Sequence, residues 1–289
     1  MITDTALIFE GGGMRASYTA GALVTLLEEK IEFSDVYGIS AGSSHTVNYI
    51  SKDIHRSKIS FVDFMGSSGT SGWNYWLRGK GYFNAEYDYQ LASKPGERLE
   101  YDFEAFLNNT ARPHVESYES DTGKTVCWGR EDMPTCYDLM TCVRASSTMP
   151  FFMPPVKLNG HIYFDGGISD SWGIPLAQAK RDGYKKFFIV CTQKRGYRKE
   201  KSSHPIITKM LFHKYPGVAK RMLDRHEGYN AILEEIEELE RQGNAFVFYP
   251  EEMPVKNTTV DFDMLQASYD LGYAQAQREL PAWREFLEK

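Results

Sequence analysis

The sequence predicts a three-layer α/β/α architecture around a mostly parallel central sheet. Two strand–turn–helix units fill the first 51 residues, the arrangement that places helices on the faces of a parallel sheet. Lys186–Thr192 (KFFIVCT) is a continuous apolar run, as expected of a central strand buried on both sides. No internal repeat and no linker-like stretch divides the 289 residues, so a single domain spanning 1–289 is the economical expectation.

The elements follow in order. Thr5–Phe9 (TALIF) is short, apolar and partly β-branched, which predicts a buried strand ending at Glu10-Gly11-Gly12-Gly13. Ser17–Glu29 sets Ala20, Leu23, Val24 and Leu27 at helical spacing. Asp35–Gly38 reads as a second strand and Ala41–Ser51 as a second helix. Gly66–Asn84 mixes glycine and serine with Trp73, Tyr75, Trp76, Tyr82 and Phe83, and reads as a self-packed surface loop or a flap over an apolar pocket. A helix is expected over Tyr101–Asn108, a strand over Thr125–Trp128 and a helix over Asp138–Arg144. Three prolines make Met149–Val156 a shaped loop. His161–Phe164 is a short strand ending at Asp165-Gly166-Gly167. Gly217–Gln242 is a long charged helix with Met222, Ile232, Leu233, Ile236 and Leu239 inward. Ala245–Tyr249 is a last strand, and helices over Asp263–Gln277 and Ala282–Leu287 close the chain.

Composition narrows the function classes. A net charge of −6 argues against a nucleic-acid partner, which needs a basic face. The four cysteines form no CxxC pair and no zinc spacing, so reduced thiols and a cytoplasmic setting are expected. No window approaches the ~18 apolar residues of a bilayer span, and no secretory signal is visible; membrane contact, if any, is expected to be peripheral. Oligomeric state has no signature here.

Gly38-Ile39-Ser40-Ala41-Gly42, between a strand and a helix, fits the G-x-S-x-G nucleophile elbow. Such a serine sits on a strained turn with small neighbours, its hydroxyl near a helix N-terminus that favours developing negative charge. The plain alternative is a small-residue loop. The Gly11-Gly12-Gly13 turn has three readings: a flexible loop; a dinucleotide fingerprint, Gly11-x-Gly13-x-x-Ala16, which wants an acidic residue at the end of the second strand; or an oxyanion hole of backbone N–H groups. A serine nucleophile needs a base. Chain order would select His204, His213 or His226 for a triad, but none follows a sharp turn after a strand. Asp165 does, and burial would raise its basicity; an ordinary turn-initiating Asp-Gly is the alternative.

Together these pieces resemble the patatin-like phospholipases: Glu10-Gly11-Gly12-Gly13-Met14-Arg15, Gly38-Ile39-Ser40-Ala41-Gly42 and Asp165-Gly166-Gly167 stand in that family's order. Ala145-Ser146-Ser147-Thr148-Met149-Pro150, Pro154-Pro155 and Tyr269-Asp270-Leu271-Gly272-Tyr273 extend the resemblance over nearly the whole chain. The resemblance implies a Ser40–Asp165 dyad and an oxyanion hole at Gly11, Gly12 and Gly13 helped by Arg15. It also implies a lipid acyl ester as substrate, and no cofactor or metal. Ala16 stands where the family usually has glycine. The Trp73–Phe83 aromatics and Phe151-Phe152 are candidates to line an acyl groove or touch a bilayer. An acyltransferase or small-ester esterase on the same scaffold, and a non-catalytic nucleotide or lipid binder, are the rival functions.

Overall fold

Alternation along the first strand sets the layers. In β1 (Thr5–Phe9), Leu7 and Phe9 bury into one apolar layer, while Ala6 and Ile8 bury into another on the opposite face. A strand buried on both sides needs helices on both faces, and the chain supplies them. The computed structural model describes residues 1–67 and 84–289. The aromatics Trp73, Tyr75, Trp76, Tyr82 and Phe83 lie outside the described residues, so the loop or flap expected there is left aside.

β2 (Asp35–Ile39), β3 (Arg112–Glu119), β4 (Lys124–Trp128), β5 (Val156–Leu158), β6 (His161–Asp165), β7 (Lys186–Val190) and β8 (Ala245–Phe248) join β1 in one sheet. Its order is β5-β6-β3-β2-β1-β7-β8, with β4 also paired to β3. The β3-β2-β1-β7-β8 portion is parallel; β4, β5 and β6 are antiparallel additions. One face is covered by α1 (Ala16–Glu28), α2 (Ala41–Ser51) and the C-terminal helix, the other largely by Pro216–Arg241. This is the expected α/β/α arrangement.

The register of β3 positions the site. β2 pairs with residues 112–116 of β3 and β6 with residues 117–119, while β4 occupies residues 115–119. Each strand has two hydrogen-bonding edges, so β2 and β6 must share the edge that β4 leaves open. They arrive from opposite directions, Ile39 opposite Glu116 and Asp165 opposite Ser117. The C-terminal ends of two strands therefore abut at consecutive positions of a third.

The structure holds elements that the sequence did not announce, among them β5 and the short helices Ile54–Ile59, Asp63–Ser67 and Leu176–Arg181. β3 was not expected, because Arg112-Pro113-His114 and two glutamates disguise a strand buried from Val115 to Glu119. A short helix, Pro205–Leu211, was likewise not expected. The two C-terminal helices are one, Phe262–Glu288, running through Pro281. Trp283, fully buried against Phe188 and Phe248 with ring centroids at 5.2 and 5.8 Å, anchors the turns beyond the proline and offsets its cost of about 3 kcal/mol. This helix crosses α1 with backbones nearly touching: a Cβ on Gly272 would lie 2.0 Å from the Tyr18 carbonyl oxygen. The four cysteines are unpaired. Among the described residues no helix is long and apolar enough to cross a membrane.

Trp283→Ala should destabilise the protein by about 3–5 kcal/mol and fray the helix beyond Pro281, read by denaturant unfolding and helical circular dichroism.

Candidate active site

Ser40 stands between β2 and α2 with φ +56° and ψ −125°, a backbone state that costs a non-glycine residue on the order of 1–3 kcal/mol. Packing on both sides imposes it. A Cβ on Gly42 would fall 2.2 Å from the carbonyl oxygen of Phe9, and one on Gly38 would fall 2.2 Å from that of Gly42. The first turn of α2 is thus pressed against the end of β1, and the chain must reverse within one residue. The Ser40 N–H donates to Ser146 Oγ at 2.9 Å, and that hydroxyl donates to the Glu116 carbonyl at 2.5 Å. Ser146 closes helix Cys136–Ser146 and pins the elbow to β3.

Asp165, the last residue of β6, is buried beside it. Its N–H donates to the Thr148 carbonyl at 2.9 Å, and its Oδ1 accepts from the Gly167 N–H at 2.6 Å. Oδ2 is buried with no hydrogen bond of ordinary geometry. Burial raises the carboxyl's pKa; Arg225, the Gly167 N–H and the neighbouring Ser40 hydroxyl oppose that rise. The arrangement is a buried carboxylate with the Ser40 hydroxyl close enough to act on its pKa.

The glycine turn follows β1, next to β2. The Gly11 N–H donates to the Gly173 carbonyl at 3.0 Å and is therefore not available to a ligand, unlike the expectation that grouped it with its neighbours. Among the described residues no acceptor is found for the N–H groups of Gly12, Gly13 and Ala41. Arg15 closes the short turn Gly13–Arg15, and its Nε is buried without a partner. Ser40 lines two clefts that share Gly13, Ser40, Met149 and Asn257. One, about 740 Å³ with its mouth, is walled largely by apolar side chains including Val47, Phe61, Phe64, Leu99, Met140 and Val143. The other, about 1120 Å³ with its mouth, holds Arg15, Asp165, Lys199 and Arg225. Phe151 and Phe152 line this second cleft rather than the apolar one.

Comparison with known proteins places this geometry. The family model described as patatin-like phospholipase matches residues 7–179, the stretch carrying the glycine turn, the elbow and Asp165. The chain belongs to the patatin-like phospholipase family. A second model, described only as a domain of unknown function (DUF6363), matches residues 215–288 of this patatin-like chain. An uncharacterized protein of Escherichia coli K12, YjjU, is 28% identical over 198 residues, 65% of this chain and 51% of that protein. The chain thus spans about half the length of that relative. A lysophospholipase, NTE1 of Lodderomyces elongisporus, is 26% identical over 151 residues, 49% of this chain and 10% of that protein. The crystal structure of VipD from Legionella pneumophila matches 96% of this chain and 67% of its own with a TM-score of 0.52 at 14% identity, a likeness of fold.

None of the seven histidines of this patatin-like protein lines either cleft. His204 and His213 are exposed, and His226 Nδ1 sits 2.9 Å from its own helix's Leu223 carbonyl. His45, on α2 near Ser40, is buried on Thr19, and burial pushes its pKa down to about 3. Among the described residues one group has metal-ligand character, Glu119, Asp121 and His161. It lies at the far end of β6 from Asp165, and His161 Nδ1 already sits 2.6 Å from Asp121 Oδ2. Three residues escaped the sequence reading: Lys199 and Arg225, which line the second cleft, and Glu116, whose carbonyl accepts from Ser146. The first two sit in charged stretches that look like solvated surface, and Glu116 in a strand that was not expected. Glu116 is fully buried and its Oε1 has no partner; burial lifts its carboxyl to about 7.

Because the folded pKa of Glu116 exceeds the ordinary 4.5, the folded state holds its proton more tightly than the unfolded one. Stability attributable to this residue is lost as pH rises from about 4.5 through 7. Glu116→Gln should remove that loss, so the variant gains on wild type by on the order of 3 kcal/mol between about pH 5 and pH 8 in urea unfolding.

Proposed function

We propose that this protein hydrolyses the carboxylic ester bonds of acyl lipids through an acyl-Ser40 intermediate, with Asp165 as the base. The observation that carries the proposal is the strained Ser40 set beside a buried Asp165 whose Oδ2 has no partner. The Ser40 hydroxyl loses its proton to Asp165 Oδ2 as Oγ attacks the ester carbonyl carbon. The carbonyl oxygen, now carrying the negative charge, is received by the N–H groups of Gly12 and Gly13, with Ala41 at the N-terminus of α2 as a further donor. Collapse of the tetrahedral intermediate passes the proton from Asp165 to the departing alcohol and leaves the acyl group on Ser40. Water then gives a proton to Asp165 as it attacks the acyl carbon, and Asp165 returns that proton to Ser40 Oγ as the acyl–oxygen bond breaks and the fatty acid leaves. The apolar cleft takes the acyl chain, since burying methylenes there contributes about 0.8 kcal/mol each.

Family membership and the name of the lysophospholipase relative support the lipid ester as substrate. The whole chain is read as one unit for this chemistry: β8 extends the sheet beyond the patatin match, and the helix Phe262–Glu288 packs on α1. A cytoplasmic protein reaching its substrate at a membrane surface fits the same reading. No metal or cofactor has a part in this chemistry.

A fluorescent fluorophosphonate should label the wild type and not Ser40→Ala, and Asp165→Asn should lower the labelling rate by about 100-fold or more. Labelling that survives in Asp165→Asn but fails in His204, His213 or His226 variants would overturn the dyad. The raised pKa of Asp165 fixes two further outcomes. The acid limb of kcat/KM for p-nitrophenyl esters should lie above 3.8, because the base is lost on protonation. The ionised carboxylate is disfavoured by burial at neutral pH, so Asp165→Asn should melt at a higher temperature than wild type while being inactive.

A further inference from the structure

Helix Pro205–Leu211 turns its apolar side outward. A short surface helix ordinarily hides its apolar row and shows a polar one to water. Here the buried row is Thr208 and Phe212, four positions apart. Ile206, Ile207, Met210 and Leu211 are 80%, 47%, 65% and 56% exposed. They are four of the thirteen large apolar side chains exposed among the described residues, gathered in a helix of seven. Core packing does not account for them, and an apolar patch of this kind marks a contact surface. The patch adjoins the second cleft. Phe212, directly after the helix, packs on Phe151 with ring centroids 4.7 Å apart, and Phe151 is itself half-exposed in the lining of that cleft. Met222, another lining residue, packs against the same apolar cluster as Phe212.

The charge around the patch has one sign. Residues 194–220 hold eight lysines and arginines and one carboxylate, Glu200, in a chain of net charge −6. Arg195 and Arg198 are paired with Glu240 and Glu237 of helix Pro216–Arg241. Lys201, Lys209 and Lys214 are exposed, and among the described residues no carboxylate pairs with them. Apolar side chains facing out between lysines are the arrangement of a helix that lies in a membrane interface: the apolar groups enter the acyl–headgroup boundary while the ammonium groups meet anionic headgroups. A second copy of the chain fits this surface less well, since a two-fold contact would set the lysines against their own counterparts.

We propose that helix Pro205–Leu211 is a docking surface for an anionic bilayer, with Ile206, Ile207 and Met210 entering the interface and Lys201, Lys209 and Lys214 meeting its headgroups. Seated this way, the helix brings Phe151 and the mouth of the second cleft beside the lipid. The docking stands on this surface alone; only the delivery of a lipid ester to Ser40 rests on the hydrolase reading. A helix of seven residues buries too little apolar area for a permanent anchor, so the contact is reversible and needs both its apolar and its charged part.

Vesicle sedimentation with Ser40→Ala protein reads the docking without turnover. Binding to phosphatidylcholine vesicles containing about 30% phosphatidylglycerol should be about tenfold or more tighter than to phosphatidylcholine alone, and should weaken as salt rises. Ile206→Ser with Met210→Ser should weaken it about tenfold, and Lys209→Glu with Lys214→Glu should remove the preference for the anionic vesicles. All four positions are exposed, so both double variants should keep the circular dichroism spectrum of the parent. Equal binding to the two vesicle types, binding to neither, or binding that both double variants retain would overturn the proposal. A concentration-dependent dimer in light scattering that Ile206→Ser with Met210→Ser abolishes would also overturn it, because the patch then faces a second copy. Absent fluorophosphonate labelling would sink the hydrolase reading but leave the vesicle binding standing, so the two failures are separable.

Discussion

The close approach of the first turn of α2 to the end of β1 is the constraint on which the rest depends. With Gly42 packed on the Phe9 carbonyl, no room remains for a gradual turn between β2 and α2, and Ser40 takes a left-handed backbone state. The direction of its side chain is therefore set by the sheet rather than by a flexible loop. The same economy brings Asp165 to it, because β2 and β6 share one edge of β3 and end where they meet. Ser146 then ties the elbow to that meeting point through its bonds to the Ser40 N–H and the Glu116 carbonyl.

Around this junction the protein keeps charges that folding alone would remove. Asp165 and Glu116 are buried carboxyls each with an unpartnered oxygen, and Arg15 and Arg225 each hold an unpartnered buried nitrogen. Such groups weaken the fold, and Asp165, Arg15 and Arg225 line the same cleft as Ser40, the pattern of a site organised for reactivity. Burial makes Asp165 a better base, and the nearby guanidinium of Arg225 favours its ionised form; the two effects act on the same carboxyl in opposite directions, burial the larger.

Much of the fold was legible because its signals are local. The alternation of TALIF, the run KFFIVCT and the glycines flanking Ser40 each carry their structural reason within a few residues. The elements that escaped notice depend on partners distant in sequence. β3 looks polar because its glutamates are held inside by the sheet, and the helix through Pro281 survives because Trp283 finds Phe188 and Phe248. The candidate nucleophile, base and glycine turn were visible as ordered motifs, and the structure brings Ser40 and Asp165 together. Gly11 was grouped with the oxyanion donors because a motif does not show that its N–H is already held by Gly173. Lys199 and Arg225 were invisible for a related reason: a lysine or arginine in a charged stretch reads as surface until the tertiary fold turns it toward a cleft.

The central claim is that acyl transfer passes through Ser40. Intact-protein mass spectrometry on acid-quenched turnover of a slow acyl ester tests it most directly. The account predicts a mass increase equal to one acyl group, mapping to the peptide that contains Ser40 and missing from Ser40→Ala, which should not turn over. An acyl group on another residue, or turnover by Ser40→Ala at the wild-type rate, would contradict it.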